Sequence, residues 1–143
     1  MEIKSDKSFG VIPVFKNLEG NFSFCLVCEE DGHWGFPKGH QDAEESEEET
    51  AIRELKEETG INEISLNKKS FIEEYSFERD GFRFNKTVKY FLCFVYSMKS
   101  GTPDGFKKEI PELKWLRYED AKQLITFPEA KGILDQTYQY LRS

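Results

Sequence analysis

The stretch GHQDAEESEEETAIRELKEETGI, residues 39–61, decides how this chain is read. Residues 43–59 are strong helix formers with no Pro or Gly among them. Asp42 stands where an N-cap is wanted, and Gly60 where a left-handed C-terminal cap is wanted, so the pattern predicts a helix over 43–59. Spacings of three and four return to the same helix face, which places Glu54, Glu57 and Glu58 within an arc of about 100°. Like charges so placed repel by a few tenths of a kcal/mol per pair in water, and by more when shielded. Something positive is therefore expected there. Hard divalent cations take oxygen ligands, and magnesium in particular is commonly held by a few carboxylates together with substrate phosphates. Ala51, Ile52 and Leu55 occupy the adjoining arc and are expected to anchor the helix against a sheet. Glu47, Glu48 and Glu49 share no such spacing and read as solvated surface.

Working outward, residues 8–15 (SFGVIPVF) and 22–28 (FSFCLVC) are β-branched and aromatic runs on either side of a turn-rich break, a strand pair. Residues 33–40 (HWGFPKGH) hold two Gly and a Pro and read as a loop held by aromatics. Residues 71–78 and 82–98 read as strands joined at Asp80-Gly81, a hairpin signal. Along the second, Val88, Tyr90, Leu92, Phe94 and Tyr96 share one face, with Phe91, Cys93 and Val95 on the other. A short strand over 113–116, a short helix over 119–125 and a final helix from Pro128 to about residue 141 complete the pattern. This is an α/β (α+β) reading with a mixed sheet between helices, and residues 1–143 read as one domain.

The composition bounds the function. With 20 Lys plus Arg against 27 Asp plus Glu, the 143-residue chain carries a formal charge of −7. Eight glutamates fall between residues 44 and 58, so one segment holds most of the imbalance. An acidic chain without a basic stripe is a poor cradle for long nucleic acid, since phosphate contacts supply most of that affinity. At 38% hydrophobic and 15% aromatic the chain has enough apolar surface for a core, which excludes the disordered and fibrous classes. No apolar run reaches membrane-spanning length, and residues 1–7 (MEIKSDK) lack a signal-peptide core, so a cytoplasmic protein is expected. Three cysteines suit reduced thiols. A zinc site built from His33, Cys25 and Cys28 is excluded, because strand residues three apart face opposite ways and no second Cys pair follows.

Gly39, Glu45, Arg53-Glu54-Leu55, Glu57-Glu58 and Gly60-Ile61, in that spacing, resemble the Nudix box at each of its fixed positions. The resemblance implies a Nudix-type α/β/α sandwich in which a loop-helix-loop motif holds divalent metal against a pyrophosphate. It implies Glu54, Glu57 and Glu58 as metal ligands, with the Gly39 carbonyl as a further oxygen. Glu45 and Arg53 are implied as the pair that orients the helix. Residues 33–40 look like the entry to the box in the asymmetrical bis(5'-nucleosyl)-tetraphosphatase branch. Residues 85–90 (NKTVKY) are similar to the strand that supplies a Lys and a Tyr to the phosphate chain there, and residues 108–116 to the segment bearing a further metal-site Glu, here Glu109. Residues 41–44 depart from that branch, replacing its usual Pro-Gly turn.

The activity so implied is metal-dependent hydrolysis of dinucleoside polyphosphates such as diadenosine tetraphosphate, with removal of pyrophosphate from RNA 5' ends, or hydrolysis of another nucleoside diphosphate-linked compound, as the alternative. Magnesium is the expected cofactor and manganese its substitute. Glu58 or Glu54 is expected to be the general base, with Glu109 a further candidate. Lys38, His40, Lys86 and Tyr90 would offer donors along the phosphate chain. For Lys86 an ordinary surface lysine is the other reading. Trp34 and Phe127 either stack on a base or pack in the core. A small-molecule substrate, no membrane, no stable nucleic-acid partner and a monomer are expected.

Overall fold

The computed structural model describes residues 2–143; Met1, the first of the residues read against a signal peptide, lies outside them. In chain order the elements are β1 (Ile3–Lys16), β2 (Phe22–Cys28), β3 (Trp34–Gly35), β4 (Lys38–Gly39), α1 (Glu47–Thr59), β5 (Ile64–Arg79) and β6 (Phe82–Val95). After a 3-10 turn at Asp104–Phe106 come β7 (Glu112–Arg117), α2 (Tyr118–Leu124) and α3 (Pro128–Arg142). The strands form one mixed sheet in the order β3-β2-β1-β6-β5, with β4 beside β1 and β7 beside β2. β1 and β6 run parallel from Ile3 opposite Arg83 to Val14 opposite Phe94, and the other pairs are antiparallel.

The two-residue period of the strands sorts the core into two layers. Phe9 and Val11 of β1 with Phe91, Cys93 and Val95 of β6 face Ala51 and Leu55 of α1. Ile12, Val14, Val88, Tyr90 and Leu92 face the other way, against Ala121 of α2 and Ala130, Ile133 and Leu134 of α3. The sheet is thus covered on both faces, each buried Leu or Ile contributing about 1.5–3 kcal/mol. Cys25, Cys28 and Cys93 are free and buried. Among the described residues no helix is long and apolar enough to cross a membrane.

Several expected boundaries move, each for a local reason. β1 begins at Ile3 rather than residue 8, because β6 supplies hydrogen-bonding partners to a polar stretch with no strand pattern of its own. β5 begins at Ile64 rather than residue 71, with a register shift between Leu66 and Ser70. β6 stops at Val95, leaving Tyr96 and Met98 exposed instead of in the strand. The hairpin turn is where Asp80-Gly81 placed it, both residues having positive φ. The 33–40 segment, expected as a loop, is tied to the sheet by the two-residue strands β3 and β4.

Helix α1 starts at Glu47, four residues later than expected, and its cap is Ser46, not Asp42. Glu49 N donates to Ser46 Oγ at 3.1 Å and Ser46 N to Glu49 Oε1 at 2.9 Å, a reciprocal capping box. Glu44, at φ 68°, holds a left-handed conformation that no helix accommodates, which forces the later start. Ile52, expected to anchor the helix, lies on its outward edge at 36% exposure; Ala51 and Leu55 do the anchoring. At the other end Gly60 (φ 74°) donates its N–H to Lys56 O at 2.9 Å, and an added Cβ there would run into the Gly101 carbonyl. Gly101 N donates to Thr59 O at 2.8 Å and Thr102 Oγ1 to Glu58 O at 2.6 Å, so the 97–103 segment pins the helix end.

Candidate active site

Along α1 one arginine organises the carboxylates. Arg53 Nε donates to Glu45 Oε2 at 2.7 Å and its Nη2 to Glu45 Oε1 at 3.1 Å, a two-pronged pairing that also ties the loop before the helix. The same Nη2 donates to His40 O at 2.9 Å, while Nη1 reaches Glu54 Oε1 at 2.9 Å and Glu57 Oε2 at 3.1 Å. Arg53 holds the Glu45 carboxyl down at about 2, and its own pKa is raised in return. Glu58, 8% exposed, is treated in the opposite way. Burial, then the neighbouring Glu54 carboxylate, push it up to about 9, although Lys38 N donates to its Oε2 at 3.2 Å. Glu54 is also raised, chiefly by burial.

This pair asks for a cation. Gly39 abuts Glu54 so closely that an added Cβ would overlap its carboxylate, so only glycine leaves that carboxylate where it stands. The donor set consists of hard oxygens, and two of them resist ionising together. A hard divalent ion fits both observations. Glu54, Glu57 and Glu58 line a cavity of about 530 Å³ together with Glu29, Glu30, Asp31, Glu109, Lys38, Phe106 and Ile110. A second cavity, of about 330 Å³, adjoins it through Glu29 and Lys38, which line both. Its remaining walls are largely aromatic: Trp34, Phe36, Tyr75, Tyr90, Phe127 and the His33 ring. Phe127, 47% exposed, meets His33 edge-on at 4.7 Å. Thr126 fixes the Trp34 backbone from both sides, its Oγ1 accepting from Trp34 N at 2.8 Å and its N donating to Trp34 O at 3.1 Å.

The NUDIX domain profile matches residues 4–137. The chain belongs to the Nudix family. Across 139 residues it is 36% identical to the asymmetrical bis(5'-nucleosyl)-tetraphosphatase of Mus musculus, covering 93% of this chain and 88% of that one. It is 32% identical over 140 residues to the enzyme of the same name from Caenorhabditis elegans, covering 94% and 96%. The crystal structure of a C. elegans Ap4A hydrolase binary complex superposes with a TM-score of 0.80 at 29% identity, covering 96% of this chain and 98% of that one.

Within this Nudix fold, the first cavity brings together Glu54, Glu57, Glu58, Glu109 and Lys38, and the second Trp34, Phe127 and Tyr90. Two expected phosphate donors stand elsewhere. Lys86, 7% exposed, donates to Asp6 Oδ2 at 2.9 Å and Ser8 Oγ at 2.6 Å, and His40 Nε2 meets Asp6 Oδ1 at 2.9 Å. Neither lines either of these two cavities; the early start of β1 puts Asp6 opposite Lys86 in register. Tyr90 is 1% exposed, meets Phe36 edge-on at 5.8 Å and lines the aromatic cavity. Sequence reasoning also missed Glu29 and Asp31 on the rim, and Glu73 in the second cavity. For Glu73 the signal was present: a strand that turns Phe71 and Tyr75 inward turns Glu73 inward between them.

Proposed function

We propose that this protein is a hydrolase of dinucleoside polyphosphates that cuts diadenosine tetraphosphate asymmetrically into ATP and AMP. The observation that carries this reading is the junction of two unlike cavities, one walled by carboxylates and one by aromatic rings, with Lys38 common to both. A nucleoside in the aromatic cavity would thread its phosphates past Lys38 into the acidic one. Similarity to enzymes named for this reaction across nine-tenths of the chain supports the same substrate.

In this reading Glu54, Glu57 and Glu58, with the Gly39 carbonyl, hold a divalent cation, magnesium by preference with manganese as a substitute. Bound there, such an ion would neutralise phosphate oxygens and lower the pKa of a water. Glu58, or its partner Glu54, would accept the proton. Arg53 touches no substrate; its fork on Glu45 keeps the helix and Glu54 in place. Lys38 supplies positive charge at the turn of the phosphate chain, Glu109 a further oxygen on the opposite wall, and Trp34 and Phe127 stack on a base. Incubating the purified protein with diadenosine tetraphosphate and magnesium and separating the products tests this. ATP and AMP in equal amounts are expected; two ADP, or no cleavage alongside turnover of a triphosphorylated RNA end, refutes it.

A further inference from the structure

Glu73 is the carboxylate in the aromatic cavity that the roles above leave unused. It sits on β5 opposite Val88, and the strand's alternation turns Phe71, Glu73 and Tyr75 inward while Ile72 and Glu74 face out. The outcome inverts the usual preference: Glu73 is 6% exposed and Ile72 is 48% exposed. A slip of one residue would exchange them, but it would also expel Phe71 and Tyr75. Glu73 Oε2 is buried without a hydrogen-bond partner, alone in this among side-chain oxygens and nitrogens of the described residues. Lys38 and Lys86 act on its charge from a distance, but neither bonds to it, and Glu129 opposes it from the start of α3. A buried acceptor left unmatched by the protein calls for a donor from outside it.

The cavity says which donor. Its lining is rich in acceptors, with Glu29, Glu73 and Glu129 against the single lysine Lys38, and its walls are rings. A flat heterocycle bearing N–H groups satisfies both features. A ribose hydroxyl would leave the rings unused. We propose that Glu73 reads the base of the bound nucleotide, its unpaired oxygen accepting a hydrogen bond from an exocyclic amine on the nucleobase. This rests on the assignment of the aromatic cavity to a nucleoside.

The test compares diadenosine tetraphosphate with its analogue carrying purine, which lacks the amine, in place of adenine. In the wild type kcat/KM should favour the amine-bearing compound by about 10- to 100-fold, since a site built to hydrogen-bond a group rejects the analogue that lacks it. In Glu73→Met the ratio should fall to near one, mainly through a higher KM for the adenine compound. Glu73→Gln, which keeps a carbonyl acceptor, should retain part of the preference. A wild-type ratio within twofold of one, or a Glu73→Met ratio equal to the wild type's, overturns the proposal. If Glu73→Met does not fold, the wild-type ratio and Glu73→Gln decide. If neither compound is cleaved, titration with free adenosine and purine riboside in the presence of chelator separates the two readings. Preference for adenosine that Glu73→Gln weakens upholds the role of Glu73 while the hydrolase reading fails, and equal binding or none overturns it.

Discussion

Replacing Gly39 with alanine should separate metal binding from folding more cleanly than removing any carboxylate. The added Cβ would lie 2.5 Å from Glu54 Oε2 and closer still to the rest of that carboxylate. Ordinary contact needs about 3.5 Å, so the carboxylate must retreat by at least about 1 Å. Glu54 is the far end of a flexible side chain, so the retreat should cost less than about 1 kcal/mol of stability, within the range of strained rotamers. Metal–oxygen distances tolerate only about 0.2 Å, however. Affinity for manganese, measured calorimetrically at fixed pH, should therefore fall by about 10- to 100-fold, the usual effect of disturbing a ligand's support. Gly10→Ala is the control. There the Cβ meets backbone, the Pro37 carbonyl and Lys38 Cα at 3.1 Å, so the urea midpoint should fall instead. A Gly39→Ala protein that binds manganese within twofold of the wild type would refute the placement of Glu54 at a metal.

The raised Glu58 implies a pH dependence with a definite sign. Its folded affinity for protons exceeds that of an unfolded glutamate, so its contribution to the metal-free protein's stability is full below about pH 4.5 and is lost as pH rises toward about 9, while metal affinity rises over the same window; calorimetry across pH 5–9 checks both trends. Asp6→Ala leaves the buried Lys86 ammonium with only Ser8 and should cost about 2–4 kcal/mol in urea unfolding, whereas Asp6→Ala combined with Lys86→Met should recover part of that loss. Phe127→Ala should raise KM for diadenosine tetraphosphate about tenfold with kcat and melting temperature nearly unchanged, since the ring is half exposed. Ser46→Ala should cost about 1 kcal/mol through the lost capping box while Asp42→Ala costs little, and urea midpoints of the two variants measure the difference.

What was legible in the sequence had a local cause. The helix and its three converging carboxylates followed from spacing, the β5–β6 turn from Asp80-Gly81, and the two faces of β6 from alternation. What was hidden depended on partners distant in sequence. Nothing in Lys4-Ser5-Asp6-Lys7 says strand; parallel pairing with β6 makes it one, and that pairing gives Lys86, expected as a phosphate donor, a partner in Asp6. Asp42 was a reasonable cap by type, but the left-handed Glu44 displaced the start to Ser46. The single letters of Trp34 and Phe127 could not choose between stacking and packing. The fold allows both for Trp34, which lines the second cavity and also packs against the core.

The charge of −7 takes its meaning from this arrangement. Spread evenly, it would only discourage anionic partners. Here the first cavity gathers seven carboxylates, Glu29, Glu30, Asp31, Glu54, Glu57, Glu58 and Glu109, around the single lysine Lys38. Arg53, the strongest cation nearby, gives its paired bonds to Glu45 and reaches Glu54 and Glu57 with one nitrogen, so it steadies the ligands without neutralising them. Glu58 receives only a backbone N–H and stays buried beside Glu54. A protein optimised for stability alone would pair these groups or replace them, since unpaired buried charge is costly. The same logic holds at Glu73, where the strand's register, set by its aromatic neighbours, keeps a carboxylate in an aromatic cavity and leaves an isoleucine outside. In both cavities the unmet electrostatic demand points at what is to be bound: cation and phosphate in one, a donor-bearing ring in the other.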